Sequence, residues 1–204
     1  MSFLTGTQAE LLYSMPATGP VLTGTNTATT GGTQYLISQQ GTATGPAYQL
    51  PAYFFSDSYG TGKSVLVQGG GTIIGGPATS TTKFALYADT TLGTQGTLLA
   101  STGAFSPVGT TVSQNAAFMF EVLMTCTSVG TAGTLNVIGR LFTGQSGNTA
   151  TAATGVTVLM NSAGGSQPTF NNATAYYLDL YANFGATTTT QTITLTNLLV
   201  WGLN

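Results

Sequence analysis

The chain has 204 residues, of which three are basic, five are acidic and none is histidine, for a net charge of −2. Acid–base catalysis, metal ligation and phosphate binding draw on His, Asp, Glu, Lys, Arg or paired Cys, so this composition argues against an enzyme, a cofactor or metal site and a nucleic-acid footprint. A 42% hydrophobic content at so low a net charge argues equally against disorder, and for a chain that folds around its own core.

Threonine and glycine are abundant and the residues that fill solvent faces of helices are scarce, which predicts an all-β protein. A surface so poor in charge lacks the usual protection against self-association, and much of it is expected to be covered by partners.

Residues 1–32 read as an N-terminal arm. Phe3 and Leu4, then Leu11, Leu12 and Tyr13, supply an apolar tip, and Pro16 and Pro20 lead into a Thr-, Gly- and Asn-rich tract. An arm of this kind lies on a neighbouring subunit; a first strand of the same domain followed by a loop is the equal alternative. The segment lacks the basic start and continuous apolar stretch of a signal peptide, and no window reaches the length of a membrane span. The expectation is a protein made and assembled inside a cell.

Residues 33–204 read as one β-sandwich domain. Short strands are expected at 35–38, 48–55, 64–68 and 97–100. Clearer period-two alternation marks 83–89, 117–128, 135–142, 156–160, 176–184 and 192–201. In 117–128, Phe118, Phe120, Val122, Met124 and Cys126 share one face, opposite Glu121, Thr125 and Thr127, with Met119 and Leu123 as apolar exceptions. Eight to ten such strands, without helical periodicity or a repeat, predict two packed antiparallel sheets with a jelly-roll connection. The lone Cys126 reads as a core residue, and Trp201 as a plug at one end.

Several motifs imitate chemistry. Gly60-Thr61-Gly62-Lys63-Ser64 resembles the tail of a phosphate-binding loop, but Asp57 stands where glycine is required and the following Val65-Leu66-Val67 reads as a strand. The glycines of 69–77 read as a loop around a short strand. Asp57, Asp89, Glu121 and Asp179 lie more than 30 residues apart, so a carboxylate pair can arise only through folding. Tyr177 and Tyr181, on the polar side of their strand beside Asn183, read as partner-contact residues, as residues packed within the second sheet, or as a sugar platform.

The runs Phe84-Ala-Leu-Tyr-Ala-Asp-Thr-Thr-Leu-Gly, Phe118-Met-Phe-Glu-Val-Leu-Met-Thr-Cys-Thr and Leu178-Asp-Leu-Tyr-Ala-Asn-Phe-Gly, with Thr192-Ile-Thr-Leu-Thr-Asn-Leu, resemble the jelly-roll virion proteins of tailed bacteriophages. Leu4-Thr-Gly and Gly19-Pro20 look like the amino-terminal arm of some of them. The resemblance implies no catalytic residue. It implies a capsid decoration protein, placed in the virion after assembly in the host cytoplasm, whose partners are itself, as a homotrimer, and the major capsid protein. No nucleic acid, membrane or cofactor is implied. The alternative is a receptor- or glycan-binding module of a head or tail fibre.

Overall fold

The computed structural model describes residues 9–14, 22–26, 34–36, 48–55, 62–74, 81–105, 115–143, 156–162, 166–184 and 191–203. The strands among them are β1 (Ala9–Ser14), β2 (Leu22–Asn26), β3 (Gln34–Leu36), β4 (Gln49–Leu50), β5 (Ser64–Ile74), β6 (Thr82–Asp89) and β7 (Thr97–Thr102). They continue with β8 (Asn115–Ser128), β9 (Gly133–Thr143), β10 (Val156–Asn161), β11 (Thr169–Phe170), β12 (Tyr176–Phe184) and β13 (Gln191–Leu203). No helix occurs among the described residues, and the expected all-β class holds.

Alternation builds these strands. In β9, Leu135, Val137 and Leu141 are buried between the exposed Asn136, Ile138 and Arg140. The buried sides of β6, β8 and β13 meet across the interior, where the Phe84 and Phe118 rings stand 5.0 Å apart between centroids. Each fully buried Phe, Val, Leu or Met side chain contributes about 1.5–3 kcal/mol. Cys126 belongs to this core, and burial pushes its thiol pKa up.

Every strand pairing is antiparallel, and the hydrogen-bonded order is β1-β13-β5-β8-β9-β10-β7-β6-β12-β3. The two outer edges are each built from two pieces. β2 pairs Gln191–Leu195 of β13 while β1 pairs its far half, and β3 and β4 lie end to end along β12. The described parts of residues 1–32 are thus two strands on the chain's own last strand. β2 also approaches β3, and the Tyr13 and Tyr48 rings stand 5.9 Å apart, so the sheet curls until its edges meet.

The glycine tract differs from its reading as a loop. β5 runs straight through Gly69, Gly70 and Gly71, because its neighbours come too close for side chains. A Cβ at Gly69 would sit 2.5 Å from the Phe120 ring, and one at Gly71 would strike the Thr194 carbonyl beside the bulge of β13. The Gly62 turn, at φ 88°, leads into this strand and not into a helix. The Lys63 ammonium lies 4.5 Å from the Phe54 ring centroid, in a setting unlike a phosphate cradle.

Candidate binding surface

The curled sheet has two outward faces of different character. On the first, cross-strand register sets Leu11 beside Trp201, Trp201 beside Leu66, Leu66 beside Leu123 and Leu123 beside Ile138. One apolar row therefore crosses β1, β13, β5, β8 and β9. The next row runs Leu199, Gln68, Glu121, Arg140 and Leu159, and beyond it Met119 pairs with Phe142.

Ile138, Leu159 and Met119 are 61%, 64% and 57% exposed, where a solvent-facing strand normally carries polar residues. Leu66, Leu123, Ile138, Leu159 and Leu203 line an open groove of about 420 Å³ together with Glu121 and Arg140. Contiguous apolar surface of this kind marks an interaction site. The Arg140 Nε donates to Glu121 Oε1, and the guanidinium lies 4.9 Å from the Phe142 ring centroid. These contacts fix the Arg140 head in the middle of the face. Such a half-exposed pair adds about 0–1 kcal/mol to stability, so its main effect is to place charge.

The second outward face belongs to β6 and β12, and the chain covers it itself. Tyr177 pairs with Asp89 and Asp179 with Tyr87, so two acids distant in sequence become diagonal neighbours on one face. Both carboxylates are engaged by the loop of residues 90–96. Asp89 Oδ1 accepts from the Thr91 amide at 2.7 Å, and Asp179 Oδ2 accepts from the Gly93 amide at 2.9 Å. Gly93 sits at φ 76°, a left-handed turn that glycine adopts without strain. The loop buries Asp179 completely and the acids serve as its anchors.

Of the three roles its position allows, Tyr181 takes that of a residue packed within the sheet. It is only 4% exposed, packed edge-on against Tyr87 at 5.4 Å between centroids. Its hydroxyl has no hydrogen-bond partner among the described residues. Burial, then the charges of Asp179, Tyr87 and Asp89, push its pKa up to about 12. A buried ring offers no stacking face to a sugar.

Of the other expected contact residues, Leu11 is exposed on the apolar row, whereas Leu12 and Tyr13 pack partly against the core. Tyr177 is half-buried on the loop-covered face. Phe3 and Leu4 lie outside the described residues. Trp201 pairs with Leu11 and Leu66 on the apolar row, away from the end it was expected to plug. An internal void of about 20 Å³ among Leu50, Phe55, Leu99, Met124 and Phe170 has room for one water-sized group at most. Sequence reasoning missed Leu66, Ile138, Arg140 and Leu159 as surface groups. The signal that pointed to them was the pair of exceptions, Met119 and Leu123, on the polar side of β8.

No family model and no curated protein matches the chain. Among solved structures, the CBM2 module of Lactobacillus casei BL23 phage J-1 evolved Dit is similar at 12% identity and a TM-score of 0.34, over 97% of this chain and 97% of that one. A structure of infectious bursal disease virus Gx strain is similar at 8% identity and a TM-score of 0.32, covering 96% of this chain and 42% of that chain. With scores this low, neither likeness fixes the fold or the function of this chain.

Proposed function

We propose that the protein is a non-enzymatic structural component of a virus particle, a jelly-roll domain that decorates and stabilises a phage capsid through self-association and contact with the major capsid protein. Strand order supports the jelly roll. β2-β13-β5-β8 and β3-β12-β6-β7 form two four-stranded runs, and the connections β2–β3, β5–β6, β7–β8 and β12–β13 each cross from one run to the other. β9 and β10 bridge the runs along one side.

The observation that carries the functional reading is the apolar face on which Leu11, Met119, Ile138 and Leu159 stand exposed around one ion pair, on a chain with three basic and five acidic residues. Burial of apolar area contributes about 25 cal/mol per Å², and a symmetric lattice multiplies weak contacts into firm attachment. The sequence resemblance to phage virion proteins supports the choice of a capsid as the partner. The glycan-binding alternative loses its platform, because Tyr181 is buried.

Co-sedimentation with capsids tests this reading. Wild-type protein is expected to pellet with the particles, and the double variant Ile138→Asp, Leu159→Asp to remain in the supernatant. Equal occupancy by the two would overturn it.

A further inference from the structure

We propose that a second copy of this chain packs face to face on β8 and β9, about a two-fold axis that runs close to the strand direction midway between them. The inference rests on the reading of this face as a binding surface and names its occupant.

The register across β8 and β9 supplies the argument. Glu121 pairs with Arg140, Leu123 with Ile138 and Met119 with Phe142. A two-fold axis along the strands carries each outward residue of β8 over the position of its own β9 partner in the other copy. Glu121 of one copy then faces Arg140 of the second, twice over. Leu123 faces Ile138, and Met119 faces Phe142, with no charge left against an apolar group among these six.

A two-fold axis in the same plane but across the strands stacks Glu121 on Glu121 and Arg140 on Arg140, which like-charge repulsion disfavours. An isologous contact needs a self-complementary surface, and these six central residues are self-complementary about one axis and self-repelling about the other. Two sheets stacked about 10 Å apart bring the facing side chains into contact.

About this axis β5 of one copy lies over β10 of the other, so four strands at about 4.8 Å and three outward rows at about 6.8 Å give roughly 400 Å² in projection, the size of a weak contact that a symmetric lattice multiplies. Arg140 is already held by Glu121 and Phe142, so little further freedom is lost when the second copy arrives.

Glu121→Arg and Arg140→Glu test the pairing of charges across the contact by complementation, and cross-linking tests the axis. Sedimentation of the wild type is expected to show a dimer, and each variant alone to associate on the order of 100-fold more weakly. When the two variants are mixed, the paired arginines of one face the paired glutamates of the other, and a heterodimer is expected to return. A monomeric or trimeric wild type, unaltered dimers of the single variants, or a mixture that fails to associate overturns the proposal.

If either charge variant fails to fold, cross-linking replaces it. Copies carrying Leu123→Cys and copies carrying Ile138→Cys are expected to be joined by a short bismaleimide, which spans the gap between stacked sheets where a direct disulfide does not reach, only when mixed. Equal cross-linking of one variant with itself, or none in the mixture, overturns the axis. A wild type that stays monomeric while Ile138→Asp, Leu159→Asp still abolishes capsid binding refutes the second copy and leaves the binding surface standing. Undiminished capsid binding by that variant refutes the surface itself.

Discussion

The two outward faces of the curled sheet are built from the same period-two strands and end in opposite states. The β6–β12 face carries Asp89, Asp179 and three tyrosines, yet a loop of the same chain holds both acids, and Asp179 and Tyr181 are buried. The face centred on β8 and β9 carries Met119, Leu123, Ile138 and Leu159, and no described residue covers the exposed members. Polar groups are buried where backbone amides can satisfy them, and apolar groups are left open where a partner can. The difference shows that polarity of a strand face does not by itself decide burial: hydrogen-bond supply decides it on one side and the availability of a partner on the other.

Breaking the covered face should have the largest effect on stability. Asp179→Ala removes a fully buried carboxylate that anchors the loop and leaves the Gly93 amide without its acceptor. The expected cost is about 2–3 kcal/mol in denaturant unfolding, with faster hydrogen exchange at the Gly93 amide. An unchanged midpoint would show that the loop covers the face without being held by it.

The same face should respond to alkali. The Tyr181 and Tyr48 pKa values are pushed up to about 12, against 10.0 for an ordinary tyrosine, chiefly by burial. A raised folded value means that the folded state holds the proton more tightly, so the stability is complete below pH 10 and is lost as pH rises toward and through about 12. Tyr181→Phe deletes one of these titrations and an unpartnered buried hydroxyl. It is expected to reduce the alkaline loss in part, with Tyr48, Tyr13 and Cys126 still contributing, and to raise stability slightly at neutral pH. Unfolding midpoints measured across this window decide the matter.

The open face should behave in the opposite way. Glu121→Gln is expected to cost the isolated chain less than about 1 kcal/mol, since its partner Arg140 is half-exposed. Ile138→Ser with Leu159→Ser should shift unfolding by no more than about 0.5 kcal/mol, because residues this exposed contribute little to the chain's own core. The effect of that pair is expected in binding. A large loss of stability in dilute monomer would mean that the face is part of the fold.

The sequence made the strands legible because alternation is a local property. The runs at 83–89, 117–128, 135–142 and 176–184 fall within β6, β8, β9 and β12. β5 was harder to read, because its glycines are set by the close approach of Phe120 and of the Thr194 carbonyl, which are distant in sequence. β1 and β2 were obscured by prolines, short length and polar composition, and they exist as strands through pairing with β13.

The candidate site was legible only in part. Met119 and Leu123 broke the pattern visibly, whereas Leu66, Ile138 and Leu159 become one surface only through the register of five strands. The burial of Tyr181 was invisible, since it depends on packing against Tyr87 of a strand distant in sequence.

A map of the assembled particle at side-chain resolution bears most directly on the central claim that the uncovered apolar face is where this chain meets its partner. The account predicts that Leu123, Ile138 and Leu159 lie against another subunit. Density showing these three side chains open to solvent on every copy in the particle would contradict it.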